Sequence, residues 1–204
     1  MKLLTIAALI AAMATGAVAQ HTRSFGWEDG YSTVFGTDGN VGGGANVTDV
    51  VHTGASALFG YEDPLGGTPQ MYVAWISDLQ NGDVVTASFW TYDTSAGVSP
   101  SSRIWGHYTD NDHLNYTGSA GGSGTYSAGT GWEQLTWTWT FDGTDPNHLG
   151  LMVEFRMYSV AVEDGYWCDD VIVTAPDHAG IWFPNQNPVV GENANWGGVK
   201  SLYK

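Results

Sequence analysis

Apolar and polar residues alternate with a period of two along much of this chain, and that pattern restricts it to β-structure. In residues 135–141, a leucine, two tryptophans and a phenylalanine alternate with three threonines. One face of such a strand is apolar and the other is polar. Turn-forming pairs such as Asn81-Gly82 and Asp142-Gly143 separate the runs. The pattern predicts an antiparallel sandwich or barrel. The predicted strands are 71–76, 84–92, 103–109, 132–141, 151–158 and 166–173, with a last edge strand at 181–184.

The same alternation assigns the tryptophans to two kinds of face. Trp137 and Trp139 share a face with leucine and phenylalanine, so both are predicted to lie in the core. In the run 84–92, Phe89 takes the apolar face, which leaves Trp90 and Tyr92 on the face of threonine and serine. Large aromatic rings on an otherwise polar face indicate either a recognition surface or a face that a loop or second sheet covers.

A second run, 103–109, repeats this arrangement and suggests what is recognised. Arg103, Trp105 and His107 share one face, opposite Ile104. Flat rings beside hydrogen-bonding side chains suit a sugar, which has an apolar C–H face and a polar rim. If the outward faces of four strands lie in one sheet, they form a polysaccharide-binding groove. The candidate carbohydrate-binding residues are Trp90, Tyr92, Arg103, Trp105, His107, Gln134, Glu154 and Tyr158.

Residues 1–19 have the pattern of a secretory signal peptide. A basic Lys2 precedes a short apolar run, and Ala17-Val18-Ala19 matches a cleavage motif. No later stretch approaches the roughly 18 consecutive apolar residues of a membrane span. We therefore expect a secreted, extracellular protein with no membrane insertion.

The charge and the cysteine content of the chain argue against nucleic-acid binding and against internal disulfides. Loss of Lys2 with the signal peptide leaves 5 Lys+Arg against 21 acidic residues, and the formal net charge moves from -15 to -16. Such a surface repels nucleic acid and favours cations, calcium especially. The single cysteine, Cys168, cannot form an internal disulfide and is predicted to be buried and inert. A secreted chain without disulfides needs a large core, a bound metal, or both.

Five short motifs, in the same order along the chain, resemble carbohydrate-binding modules of families four, nine and twenty-two. They are Trp27-Glu28-Asp29-Gly30 for the F-E-x-G opening, residues 52–58 for h-x-G-x-x-S/A-L, 79–89 for L-x-x-G-x-x-Y-x-x-S-F, 132–135 for W-x-x-L, and 168–171 for V-D-D-V. The resemblance covers about residues 25–174. It implies an all-β, galactose-binding-domain-like jelly-roll β-sandwich with a structural calcium and a sugar-binding face. We assign residues 20–176 to this module and 177–204 to an edge segment and a flexible tail.

The resemblance also implies the calcium ligands. They are Glu28, backbone oxygens near Thr53 and Ser56, and Asp169 or Asp170. Alternation favours Asp169, which should share the core side of the strand and would need a cation there. Both aspartates could instead form a solvated strand end.

The chain is expected to be non-catalytic, because Glu154 is the only acid on the proposed sugar face and glycoside hydrolysis normally needs two carboxylates. The leading interpretation is a secreted carbohydrate-binding module. One alternative is a structural or adhesive surface protein that keeps the jelly roll without binding sugar. The other is a polysaccharide lyase in which Arg103, His107 and Tyr158 act as charge neutraliser, base and acid.

Overall fold

The computed structural model describes residues 18–93, 101–129, 131–162 and 164–186, and these residues form twelve β-strands and no helix. None of them belongs to a helix that is long and apolar enough to cross a membrane. Most of the predicted signal peptide (1–17) and most of the predicted tail (187–204) lie outside the described residues. The strands are β1 (Gln20–Phe25), β2 (Thr37–Asp38), β3 (Val41–Val47), β4 (Ala57–Glu62), β5 (Gln70–Ser77), β6 (Val84–Asp93), β7 (Ser102–Thr109), β8 (Tyr116–Gly122), β9 (Gly131–Thr140), β10 (Gly150–Met157), β11 (Gly165–Pro176) and β12 (Gly180–Trp182).

Two antiparallel sheets of six strands each build the sandwich. Sheet A has the order β3-β4-β11-β6-β9, with β1 also pairing with β11. Sheet B has the order β12-β5-β10-β7-β8, with β2 also pairing with β5. This confirms the predicted all-β architecture, and β12 forms the predicted edge strand.

Alternate residues of the two sheets meet in one apolar core. Phe89 of β6 and Phe155 of β10 are both fully buried, and their ring centroids lie 5.4 Å apart at an interplanar angle of 77°. Cys168 is buried in this core, as predicted, and burial raises the pKa of its thiol well above the ordinary value. The thiol is therefore protonated and unreactive at neutral pH.

The core prediction is correct for one tryptophan of β9 and wrong for the other. Trp139 is only 4% exposed and its indole Nε1 donates to the carbonyl oxygen of Gly121 at 2.9 Å. Trp137 is 36% exposed. Among the described residues β9 pairs only with β6, so it is an edge strand, and at an edge the inward face of a sheet is incompletely covered.

The glycine-rich segment that follows Tyr116 also differs from expectation. The run of glycine and serine at 118–125 predicts a flexible surface loop, whereas residues 116–122 form β8 along the edge of β7. At Gly122 a Cβ atom would lie only 2.6 Å from the Cα atom of Trp105. The glycine therefore allows the two backbones to approach closely here.

The single groove expected from four strands does not exist. β6 and β9 lie in sheet A, whereas β7 and β10 lie in sheet B. The candidate carbohydrate-binding residues are thus divided between two opposite outer faces of the molecule.

Candidate functional site

The outer face of sheet B holds most of the predicted sugar-binding side chains. β7 and β10 are adjacent and antiparallel, and Trp105 is paired with Glu154, while Arg103 is paired with Arg156. Because side chains alternate along a strand, these four residues and His107 all lie on the outer face. Five of the eight predicted residues meet here: Arg103, Trp105, His107, Glu154 and Tyr158.

Glu154 is fully buried and forms the centre of a polar cluster. Its Oε1 atom lies 2.6 Å from Nδ1 of His107, and its Oε2 atom accepts a hydrogen bond from Nε of Arg156 at 2.5 Å. With its amide nitrogen facing the carboxylate, Gln70 adds donors 3.0 and 3.2 Å from the two oxygens. A buried carboxylate is strongly unfavourable unless such partners are present. Glu154 therefore fixes the position of the Arg156 guanidinium group and is not itself accessible to solvent.

Two guanidinium groups lie over the indole ring of Trp105. The Cζ atom of Arg103 is 4.5 Å from the ring centroid and that of Arg156 is 4.7 Å from it. Indole Nε1 donates to the hydroxyl of Ser119 on β8 at 3.0 Å. Cation–π contacts of this length are attractive. The half-buried ring is therefore in contact with two cations.

Arg103 also contacts two tyrosines. Its Nη2 atom donates to the hydroxyl of Tyr158 at 2.8 Å, and its Cζ atom lies 5.0 Å from the ring of Tyr126 and 5.1 Å from that of Tyr158. Tyr126 is not among the predicted residues, because it lies outside any alternating run. Alternation places Arg156, two residues after Glu154, on the predicted outward face, although it is not among the eight predicted binding residues.

The other half of this face is covered, as the alternative interpretation of the sequence allowed. Tyr72, Trp75 and Met152 are buried there beneath Phe35 and Trp182. His107 lies at the boundary and is fully buried, with its ring centroid 4.9 Å from that of Tyr72 and 5.2 Å from that of Tyr116 (which is exposed). Its Nε2 atom is buried and has no hydrogen-bond partner among the described residues. Within the described residues, the half around Trp105 stays partly exposed.

Trp90, Tyr92 and Gln134 lie on the outer face of sheet A, away from this cluster. Trp90 stacks on His52 with a centroid distance of 4.1 Å, and Tyr92 packs against Trp132 at 5.5 Å. Gln134 is exposed and its Nε2 atom is 3.5 Å from the hydroxyl of Ser88. The structure therefore does not bring these three residues together with the other five.

The predicted calcium ligands gather where β11 meets the loop that carries His52 and Thr53. Asp169 is buried, and its Oδ2 atom accepts the backbone N–H groups of His52 at 3.0 Å and Thr53 at 3.2 Å. Burial raises the pKa of Asp169 to about 6, and the charge of Asp170 adds to this rise while the backbone hydrogen bonds oppose it. Asp170 accepts from the Thr53 hydroxyl at 2.8 Å, and Glu28 accepts from the backbone N–H of Ala55 at 2.8 Å.

Gly26 leaves open the space between these carboxylates. A Cβ atom at this position would lie 3.3 Å from Oδ1 of Asp169, 3.5 Å from Oδ1 of Asp170 and 3.7 Å from Oε1 of Glu28. A depression of about 490 Å³ opens beside it, lined in part by Thr53 but not by the buried Ser56. Hard oxygen donors of this kind suit calcium. Within the described residues, however, no group of three or more His, Cys, Asp or Glu side chains is arranged to hold a metal ion.

Comparison with solved structures identifies the fold. No protein-family model matches the sequence, and no curated protein matches it. The CBM22-1 xylan-binding domain of Xyn10C from Paenibacillus barcinonensis is 14% identical, with a TM-score of 0.52 over 78% of this chain and 97% of that domain. The tandem CBM22-1-CBM22-2 domain of the same protein is 15% identical, with a TM-score of 0.56 over 89% of this chain and 50% of that one. The chain therefore has the jelly-roll β-sandwich fold of carbohydrate-binding modules, as the five motifs implied.

Proposed function

We propose that this protein is a secreted, non-catalytic carbohydrate-binding protein that binds polysaccharide at the open half of the outer face of sheet B. The observation that carries the proposal is the Trp105 cluster, defined as Arg103, Trp105, Tyr126, Arg156 and Tyr158. Its members combine half-buried aromatic rings with guanidinium donors on a sheet. Rings that provide contact area, with polar donors at their edges, are the chemistry that a sugar requires.

The burial of the acid and base candidates supports binding over catalysis. Glu154 and His107 are the groups that a hydrolase or lyase would use on this face, and both are fully buried and bound to each other. A general base must come within hydrogen-bond distance of the proton it removes. Because Nε2 of His107 is buried, a substrate on the open half does not reach it.

The binding experiment compares two tryptophans on opposite faces. Purified protein is screened on a glycan array, and the affinity for the best polysaccharide is then measured by calorimetry for Trp105→Ala and Trp90→Ala. We expect Trp105→Ala to weaken binding about tenfold or more, since tryptophan anchors commonly contribute over 1 kcal/mol. Trp90→Ala is expected to leave the affinity unchanged, because Trp90 lies on sheet A.

Melting curves of both variants show whether each remains folded. Loss of binding in Trp90→Ala but not in Trp105→Ala would move the site to sheet A. Binding to no glycan at all would favour the structural or adhesive alternative.

Calcium forms the second part of the proposal. Glu28, Asp169 and Asp170 would hold the ion together with an oxygen of the Thr53 segment. When bound, calcium supplies positive charge that offsets the repulsion between carboxylates. The support is the buried position of Asp169 and the presence of oxygens of all three carboxylates around Gly26, which ion binding would have to bring into a common coordination shell.

Removal of calcium should destabilise the protein. A ligand bound only by the native state at a hundredfold excess over its Kd adds about 2.7 kcal/mol. We therefore expect a chelator to lower the melting temperature by several degrees, and Asp169→Ala to remove this response. Asp177→Asn, at an exposed position, is the control and should keep it. Identical melting curves of the wild type in calcium and in chelator would exclude the site.

A further inference from the structure

We infer that the polysaccharide bound at the Trp105 cluster is an acidic one with isolated carboxylate groups on an otherwise neutral backbone, and that Arg103 binds the carboxylate. This inference rests on the proposed function, because it names the ligand class of the same site. It is carried by the distribution and pairing of positive charge.

Positive charge is scarce in this chain, and in the part that the structure describes it is concentrated on this face. The full sequence has 6 Lys+Arg against 21 Asp+Glu. Within the described residues the cationic side chains are Arg23, Arg103 and Arg156, and two of the three lie over the ring of Trp105. In so acidic a protein, two guanidinium groups on directly paired positions of neighbouring strands repel each other. Their placement together therefore requires compensation by negative charge.

Within the described residues, only one of the two arginines is paired with a carboxylate. Arg156 donates to the carboxylate of Glu154 at 2.5 Å. Among the described residues Arg103 forms no ion pair with a carboxylate, and its Nη2 atom donates to the hydroxyl of Tyr158. Glu154 carries a single negative charge and pairs with Arg156, so it does not offset both guanidinium groups. A positive charge on Arg103 is left for a ligand.

The three rings around Arg103 prepare it for binding. Trp105, Tyr126 and Tyr158 each lie within 5.1 Å of its Cζ atom, so the side chain is already ordered and little rotamer entropy remains to be lost. The planar guanidinium fork matches the two oxygens of a carboxylate. The aromatic rings beside it provide the contact area for the sugar that carries this carboxylate.

The net charge of the molecule limits how acidic the ligand can be. A densely charged polyanion is repelled by a protein with a formal charge of -15. At 0.15 M salt this repulsion is screened beyond about 8 Å, whereas a direct guanidinium–carboxylate contact is screened much less. A neutral polysaccharide backbone with occasional uronic acid substituents is repelled only weakly and still offers a carboxylate for direct contact with Arg103.

The experiment removes the acid from the ligand and then the arginine from the protein. Binding of the wild type is measured by calorimetry in 0.15 M NaCl to 4-O-methylglucuronoxylan and to the same polymer after chemical reduction of its carboxyl groups. We expect the acidic form to bind at least about tenfold more tightly, as a charge-assisted hydrogen bond provides. Sodium polygalacturonate, a dense polyanion, should bind more weakly than the glucuronoxylan.

Arg103→Gln should bind the acidic and the reduced polymer with equal affinity, because it lacks the group that distinguishes them. Arg23→Gln is the matched control, since it removes the same charge from β1 in sheet A and should retain the preference. Equal affinity of the wild type for the acidic and reduced polymers overturns this inference and leaves the proposed function standing. Absence of binding to every polysaccharide overturns the proposed function itself. The comparison of the two polymers uses only the wild type, so it holds even if Arg103→Gln does not fold.

Discussion

For single residues, the alternating pattern predicts the face of the strand better than it predicts how far a side chain is buried. Trp137 and Trp139 have the same sequence environment, yet Trp139 is 4% exposed and Trp137 is 36% exposed. The difference arises because burial depends on what lies opposite a residue, which the residue's own strand does not encode. For Arg103 and Glu154 the outward face was predicted correctly, but full burial of Glu154 by Arg156 and Gln70 was not foreseeable.

The two tryptophans of β9 should therefore differ in their contribution to stability. Trp139→Ala should lower the free energy of unfolding by roughly 3–5 kcal/mol, because it removes a large buried aromatic side chain. It also removes the hydrogen bond from Nε1 to the carbonyl oxygen of Gly121. Trp137→Ala should lower it by about 1 kcal/mol, in the range of ordinary substitutions. Urea unfolding monitored by circular dichroism measures both, and equal losses would show that Trp137 is as well packed in solution as Trp139.

At the scale of elements, the existence of strands was predictable and their partners were not. All six strands predicted with alternating patterns are present, with ends that shift by at most a few residues. The period of two does not say which strands are neighbours. Trp90 and Trp105, which have similar patterns around them, therefore lie on opposite sheets. The candidate site was consequently predicted as one surface, and only its sheet B half forms a single cluster.

The short strand β12 should contribute measurably to the stability of the fold. It covers the edge of β5 and brings Ile181 and Phe183 into the core, where Phe183 stacks on Phe25 at 5.5 Å. A chain that ends at residue 179 exposes this edge and loses both side chains, each of which contributes about 1.5–3 kcal/mol through burial. We expect it to be several kcal/mol less stable than a chain that ends at residue 186. Thermal unfolding of the two truncated chains compares them, and equal melting temperatures would mean that β12 is not required.

For the molecule as a whole, the large negative net charge affects stability in a way that no single contact explains. The formal net charge of -15 is spread over a small β-sandwich, and mutual repulsion of like charges opposes the compact state. The same acidic surface is expected to repel nucleic acid. Bound cations or dissolved salt can reduce this repulsion.

Salt should stabilise this protein even when chelator removes divalent cations. Raising NaCl from 0.01 to 0.15 M shortens the screening length from about 30 to about 8 Å. A gain of about 1 kcal/mol corresponds to a rise in melting temperature of roughly 2–4 °C for a chain of this size. Choline chloride should act equally, since screening does not depend on the cation. A melting temperature that falls with salt would indicate that attractive charge pairs dominate.

The unpaired edge of β9 links this charge to solubility. Among the described residues one side of β9 pairs with no other strand, and its only charged residue is Glu133. A long edge with threonine and tryptophan side chains is a template on which the strand of a second molecule can be added. Repulsion between acidic molecules keeps such edges apart, and salt weakens it. The conditions that stabilise the single molecule are therefore those in which concentrated solutions should begin to aggregate.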